Sequence, residues 1–421
     1  MTAQETLTAA LKSKKRSSWI QQFARKQVLA RLTQLQFGQL IIIENGQKMV
    51  FGKSRDDAPS LQAIVTVHDA HFYGEMAFGG SIGAGEAYML GYWSADNLTH
   101  VIRIMAANQG VMDSLEGGYQ WASKPFLKTL HWLNRNTAEG SRKNIAAHYD
   151  LGNDFFKLWL DASMMYSSAI FSPANCSLAD ASAKKLQVIC QKLDLKPTDH
   201  VVEIGTGWGG FAIYAATHYG CKVTTTTISK QQYDEAYLRV HAAGLQDKIT
   251  LLLNDYRDLN GQFDKLVSIE MIEAVGHHFY DVYFAKCASL LKPNGIALIQ
   301  AITITDQRFD AAKNSVDFIQ RYIFPGSNIP SITALLTSIT QASDFKLFDL
   351  EDIGPHYATT LAAWRENFFA HIQQVRQLGY SEVFIKMWEF YLCYCEGGFA
   401  ERALGDCHLL LVKPESRRAA L

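Results

Sequence analysis

The stretch Val201-Val202-Glu203-Ile204-Gly205-Thr206-Gly207-Trp208-Gly209-Gly210 constrains the fold more than any other part of the chain. Its first residues predict a buried strand, its glycines a sharp turn, and the following Phe211-Ala212-Ile213-Tyr214-Ala215-Ala216 a helix. That is the first βα unit of a doubly wound sheet, an α/β fold. Glycines let the backbone turn tightly and let a ligand approach it, and the helix N-terminus offers free N–H groups to polar ligand atoms.

Gly205, Gly207 and Gly210 match the dinucleotide fingerprint, which alone is a weak signal. A dinucleotide site also needs an acid about 20 residues on, to hold the ribose. The second strand instead ends in Lys222-Val223-Thr224-Thr225-Thr226-Thr227, with no acid. An acid lies inside the first strand, at Glu203. A carboxylate beside the glycines suits S-adenosylmethionine, a cation with an ammonium group. The turn therefore reads as a methyltransferase site rather than as a dinucleotide site or a purely structural turn.

The 421 residues, 48% of them hydrophobic, allow one large domain or two to three smaller ones. A net charge of −1 predicts no nucleic-acid partner. The seven cysteines, at 176, 190, 221, 287, 393, 395 and 407, show neither paired metal-ligand spacing nor a secreted framework. The expectation is no metal and a reduced, cytoplasmic compartment. No signal peptide is read at the start, and no apolar run approaches the ~20 residues needed to cross a bilayer.

Residues 12–32 carry seven basic side chains and no acid, with Trp19, Ile20, Phe23, Val28 and Leu32 at helical spacing. Such a helix can lie on an anionic membrane or pack on its own domain with a solvated basic face, and both readings stay open. Residues 1–108 are expected to form an N-terminal α+β accessory domain for lipid, membrane or dimer contact. It begins with a hairpin over residues 39–51 that turns at Asn45-Gly46, then a strand from Leu61 to His68 and a glycine-rich loop-helix element over 79–93. Residues 109–143 read as a linker helix, and residues 144–421 as the catalytic domain. Its first segment, to Phe171, is dense in aromatics and is either a lid over the cofactor or an ordinary helical cap. Further strands are expected over 249–253, 263–269, 295–299 and 409–412, and Ser229 is a candidate N-cap. Ligands bind at the carboxyl ends of such strands, which would bring Gly205, Thr227, Asp255, Glu273 and Gln300 into one crevice. Asp255 can accept a hydrogen bond from an adenine amino group. Residues 305–400 read as helical and aromatic-rich, mostly core, with a subset suited to lining a long apolar pocket.

The chain resembles the cyclopropane-fatty-acyl-phospholipid synthase family, which includes the mycolic acid cyclopropane synthases. The matching pieces are His148-Tyr149-Asp150-Leu151-Gly152-Asn153-Asp154, Tyr166-Ser167, the 203–210 turn, Thr227-Ile228-Ser229-Lys230-Gln231-Gln232, Asp255-Tyr256-Arg257-Asp258, Met271-Ile272-Glu273-Ala274-Val275-Gly276, Tyr322-Ile323-Phe324-Pro325-Gly326, and Tyr357 with Thr359-Thr360-Leu361. A weaker match lies at Gly85-Glu86-Ala87-Tyr88-Met89. The resemblance implies a class I S-adenosylmethionine-dependent methyltransferase sheet. It implies cofactor contacts at Tyr166, Ser167, Glu203, Gly205, Thr206, Gly207, Trp208, Gly209, Thr227, Ile228, Ser229, Gln232, Asp255, Tyr256 and Arg257. The implied substrate is a cis double bond in an unsaturated acyl chain of a membrane phospholipid, met peripherally on the inner face of the membrane. The alkene takes the sulfonium methyl, leaving a carbocation, and a base then removes a proton so that a cyclopropane ring closes. Family members hold bicarbonate as that base. The matching ligands are Glu273 and Tyr357, with Ile302 backbone nearby and Ser168 and Gln300 in the shell. Tyr322 and Tyr357 can stabilise the cation through their ring faces. Cys395 matches a cysteine near the site, and a homodimer is a family-level expectation.

Two departures stand out. Well-known members have cysteine where this chain has Ser168, and histidine where it has Gln300. Both replacements still hydrogen-bond an anion, but the lost histidine is a titratable group, so a methyl or methylene branch becomes an alternative product. Two other readings stay open: a non-catalytic lipid-binding protein on a methyltransferase fold, and a small-molecule methyltransferase.

Overall fold

The structure is a computed structural model that describes residues 18–53, 61–110 and 151–420. The linker beyond residue 110, the His148-Tyr149-Asp150 motif and residues 12–17 of the basic stretch lie outside the described residues. The chain divides into two compact units. One takes the described residues up to 110 together with Ser315–Ile323 and Ile372–Ala403; the other takes 151–314, 324–371 and 404–420. Two segments distant in sequence thus join the N-terminal unit, which a boundary at residue 108 does not anticipate.

The larger unit is built on a seven-stranded sheet: β5 (His200–Ile204), β6 (Lys222–Thr226), β7 (Ile249–Leu252), β8 (Phe263–Ile269), β9 (Leu291–Ile304), β10 (Lys346–Asp352) and β11 (Leu404–Val412). Strand order is β10-β11-β9-β8-β5-β6-β7. The pairs from β9 to β7 are parallel, while β11 and β10 run antiparallel at the other edge. Side chains alternate across a strand, and here both faces are covered. Val202, Ile204, Leu266, Ala297, Ile299, Leu409 and Leu411 enter one apolar cluster. Their neighbours Val201, Val267, Ile296, Leu298 and Leu410 enter the other. Each fully buried aliphatic side chain contributes about 1.5–3 kcal/mol, so this double burial fixes the register against a one-residue slip.

The expected strands all form, with β9 reaching past residue 299 to Ile304, so that Gln300 lies inside the strand rather than at its end. β10 falls within the stretch expected to be helical. Ser229 caps the helix Lys230–Ala242, accepting from the Gln232 amide at 3.3 Å.

The smaller unit has a four-stranded sheet, β2-β1-β3-β4, formed by β1 (Gly38–Glu44), β2 (Gln47–Lys53), β3 (Gln62–Val67) and β4 (Trp93–Ala95). β1 and β2 form the expected hairpin, and Asn45 and Gly46 both take positive φ, 50° and 78°, as a tight two-residue turn requires. The 79–93 element is mostly a helix, His71–Met89, kinked at Gly80. In the basic helix Ser18–Leu32, Val28 and Leu32 are buried while Phe23 is exposed, so this apolar face serves partly as core.

Asn108, buried behind the helix Leu98–Ala107, ties that helix to the entry of β1. Its Oδ1 accepts from the amides of Gln36 (2.7 Å) and Phe37 (3.1 Å), and its Nδ2 donates to the carbonyls of Phe37 (2.7 Å) and Ile104 (2.8 Å). Removing it costs four hydrogen bonds at once, of which the one to the Ile104 carbonyl is buried. Asn108→Ala is expected to lower the unfolding free energy by about 2–4 kcal/mol, read from urea denaturation.

Candidate active site

The glycine turn closes β5 at the carboxyl edge of the sheet. Gly205, Gly207 and Gly209 have φ of 98°, 51° and 84°. A Cβ on Gly205 would lie 2.4 Å from Cγ of Met271, so the turn rests on the residue that follows β8 and Glu270. A Cβ on Gly210 would lie 2.8 Å from the Ser163 carbonyl, which brings the Ser163–Ser168 segment onto the start of the helix Gly210–Tyr219. Thr226 holds the turn from β6: its carbonyl accepts from the amides of Gly205 (3.1 Å) and Thr206 (3.0 Å). Thr206 and Thr225 share a hydroxyl contact of 2.7 Å. The threonine run thus replaces aliphatic packing with hydroxyls that fasten the loops above the sheet.

The expected cofactor residues collect along this edge. Trp208 is buried, donates to Asn153 Oδ1 at 2.7 Å and packs on Phe156, so it anchors the turn to its neighbours. Tyr166 sits among Phe156, Trp159 and Trp364, with ring centroids 5.3–5.5 Å away. Thr227, Ser229 and Gln232 bond to one another after β6, with Ile228 half-buried between them. After β7, Asp255 is held in a two-point ion pair by Arg257, at 2.8 and 2.6 Å, with the Arg257 guanidinium over the Tyr256 ring.

Two buried ionisable groups, Glu203 in β5 and Lys185, feel one another's charge. Glu203 is 2% exposed, and burial pushes its carboxyl up to about 8 against a Thr225 hydrogen bond and the Lys185 charge. Its Oε2 has no partner among the described residues. Lys185 donates to Ser167 Oγ at 2.7 Å, and burial pulls its amine down to about 8. A cationic adenosyl ligand fits these observations: open space beside Gly207, a carboxyl oxygen lacking a partner, and the start of a helix.

A second cluster lies where β8 and β9 meet. Three residues named from the sequence converge here, but on Glu270 rather than on Glu273. Glu270 Oε1 accepts from the Ser168 amide (2.8 Å) and from Gln300 Nε2 (2.8 Å), and Oε2 accepts from the Tyr357 hydroxyl (2.7 Å). The second hydrogen of Gln300 Nε2 goes to Asp406 Oδ2 at 2.9 Å, and Gln300 Oε1 meets His408 Nε2 at 3.3 Å. Burial and Glu270's charge hold Asp406 well above the usual carboxylate range, so Asp406 keeps the proton of this pair. Desolvation raises Glu270 too, while Tyr357, Ser168 and Lys185 favour its ionised form. Burial brings His408 down to about 3, so it stays neutral.

Glu273 stands apart from these donors. Its Oε1 accepts from the Ile302 amide at 2.5 Å, and its Oε2 has no partner among the described residues. The donors assigned to bicarbonate are thus engaged by this chain's own carboxylates: Ser168, Gln300 and Tyr357 by Glu270, and Ile302 by Glu273. Bicarbonate does not fit among them as they stand.

Tyr322 and Cys395 belong to the smaller unit. There the Tyr322 hydroxyl donates to Glu86 at 2.6 Å, and burial raises the Cys395 thiol. Glu270, Asp406, His408, Lys185 and Arg239 escaped the sequence reading. Only Glu270 carried a usable signal: it follows β8 directly, where the rule that selected Glu273 applies equally. No group of acids, histidines and cysteines suited to a metal occurs among the described residues.

Glu273 makes a pH prediction. Burial, then the Glu270 charge, pushes its carboxyl up to about 8 from an ordinary 4.5. The folded state therefore favours the proton, and the associated stability is present below the ordinary value and lost as pH rises through about 8. Glu273→Gln mimics the protonated form. Its Tm is expected to exceed that of the natural chain increasingly between about pH 5 and pH 8.5 by scanning calorimetry. A gap that does not widen would show that Glu273 is charged when folded.

The family model described as mycolic acid cyclopropane synthetase matches residues 136–409. Tuberculostearic acid methyltransferase UfaA1 of Mycobacterium tuberculosis is 40% identical over 338 residues, 76% of this chain and 76% of that protein. The cyclopropane-fatty-acyl-phospholipid synthase of Escherichia coli K12 is 39% identical over 347 residues, 82% of this chain and 86% of that one. Among solved structures, mycolic acid cyclopropane synthase CmaA1 complexed with SAH and CTAB superposes with a TM-score of 0.60 at 29% identity, covering 65% of this chain and 98% of that one. The chain belongs to the mycolic acid cyclopropane synthetase family and is an S-adenosylmethionine-dependent methyltransferase of that type.

Proposed function

We propose that this chain adds a methylene group across a cis double bond in the acyl chain of a membrane phospholipid, forming a cyclopropane fatty acid. S-adenosylmethionine supplies the methyl carbon when bound. The observation that carries the reading is the Glu270 cluster, at the carboxyl end of β8 beside Gln300 of β9 and one residue from the Met271 that supports the glycine turn. An alkene has no acidic proton to lose before methylation, so its attack leaves a cation on the chain. A buried anionic pocket is what stabilises positive charge developing there. Tyr357 adds an aromatic face, and the wall of Trp159, Tyr166 and Trp364 excludes water, which would otherwise trap the cation. The turn at 205–210, Glu203 and the segments around Tyr166, Thr227 and Asp255 would hold the cofactor, and the substrate would be met at the inner face of the membrane.

A second reading has a specific observation in its favour. A relative at 40% identity is named a tuberculostearic acid methyltransferase rather than a cyclopropane synthase. The same cation, resolved differently, would then give a methyl or methylene branch.

Purified protein incubated with vesicles of cis-unsaturated phospholipid and methyl-labelled S-adenosylmethionine is expected to yield acyl chains whose proton NMR spectrum shows upfield ring-methylene signals. Label in a vinylic methylene or a methyl branch would select the second reading. No label in lipid, with cofactor binding intact, would overturn both.

A further inference from the structure

We propose that the side-chain carboxylate of Glu270 is the base that resolves the cation, in the place where the family's pattern puts a bound bicarbonate, and that this chain needs no bicarbonate. The inference rests on the lipid-alkene reading above. It is argued from three features of Glu270.

The first is geometry. A bicarbonate ion and a carboxylate side chain present the same planar pair of oxygens to hydrogen-bond donors. Glu270 presents its pair to the Ser168 amide, the Gln300 amide nitrogen and the Tyr357 hydroxyl, all within 2.7–2.8 Å. These donors come from three separate elements, so the carboxylate is held from several sides. Each is itself positioned. Gln300 is fixed between Asp406 and His408. Tyr357 shares its helix, Gly354–Ala370, with Thr360, whose hydroxyl accepts from the Ala169 amide at 3.1 Å. The amide next to Ser168 is therefore docked on the helix that carries Tyr357.

The second is access. Gln300, Asp406 and Ser168 have no exposed surface, and Glu273 is buried against Ile302. Glu270 is only part-buried. Of the acids in this cluster it is the one that is not fully enclosed.

The third is the backbone. Glu270 has φ 51°, in the left-handed region that favours glycine. Holding a non-glycine residue there costs about 1–2 kcal/mol, a strain found where the side chain is used. A glycine would relax the backbone and leave a hole bounded by the same three donors.

The alkene π pair bonds to the methyl carbon while the carbon–sulfur pair departs with sulfur, leaving the positive charge on the neighbouring acyl carbon. Glu270 takes one proton from the new methyl group. The released carbon–hydrogen pair forms the second ring bond, and the protonated carboxyl returns its proton to solvent before the next turnover.

The test compares the natural chain with Glu270→Gln and Glu270→Gly, each assayed for lipid labelling in bicarbonate-depleted buffer and with bicarbonate added. The natural chain is expected to be indifferent to bicarbonate. Glu270→Gln, which fills the space without a basic oxygen, is expected to lose about 10²–10⁴-fold in rate under both conditions. Glu270→Gly is expected to be equally impaired when depleted and to regain activity with added bicarbonate. A second readout needs no lipid: NMR of isotope-labelled bicarbonate should show a bound signal with Glu270→Gly and none with the natural chain. S-adenosylhomocysteine binding by calorimetry verifies that both variants are folded. A natural chain that binds bicarbonate, or loses activity on its depletion, overturns the inference and leaves the lipid reading standing, as does a fully active Glu270→Gln. A natural chain that labels no lipid overturns the lipid reading and the catalytic role with it, whichever way the bicarbonate signal falls.

Discussion

One amide nitrogen, Nε2 of Gln300, stands between the half-buried Glu270 carboxylate and the buried Asp406 carboxyl and gives a hydrogen to each. Much of the active-site end of the sheet depends on it. Two carboxylates this close cannot both carry charge in a site with little water. The amide lets Glu270 keep its charge while Asp406 keeps a proton, and His408, neutral behind it, fixes which way the amide faces. A histidine at this position could carry charge itself and would alter the proton count of the cluster. Gln300 cannot titrate, so the ionisation state belongs to the acids alone.

The arrangement follows from the sheet. Strands covered on both faces need nearly continuous apolar sequence, and β5, β8, β9 and β11 supply it through most of their length. Polar residues enter where the strands approach the carboxyl edge: Glu203, Ser268, Gln300, Asp406 and His408 are all buried there. Every one of them lowers stability relative to an aliphatic residue unless its partners are in place. One oxygen each of Glu203, Glu273 and Asp406, without a partner among the described residues, marks where that compensation stops. Such concentrated, partly satisfied polarity in an otherwise apolar sheet characterises sites shaped for function rather than for stability.

This contrast governs how much was legible in the sequence. The glycine turn, the strand run from β5 to β9 and the hairpin of β1 and β2 are local patterns, and they appear where their alternation and turn chemistry place them. β10 was missed because its side chains are mostly exposed and show no apolar alternation. The joining of Ile372–Ala403 to the N-terminal unit was illegible, because it depends on long-range packing such as Gly397 against Ile102. At the site, Ser168, Gln300 and Tyr357 were identified by motif position, but the atom they converge on was not. Glu270 stood in plain view after β8. Donor positions alone do not distinguish an anion brought from outside from one that the chain supplies itself.

Arg239 has a mechanical consequence. Its guanidinium donates to the carbonyls of Ala162 (3.0 Å), Ser163 (3.0 Å) and Trp208 (2.7 Å). The first two lie just ahead of Tyr166, Ser167 and Ser168, and the third lies within the glycine turn. One rigid planar group from the helix Lys230–Ala242 therefore clamps both segments, and neither can shift without straining the other. Ser163, held by this guanidinium, lies five residues ahead of Ser168, whose amide bonds the Glu270 carboxylate. The glycine turn and the segment that meets the Glu270 carboxylate are thus tied to one guanidinium.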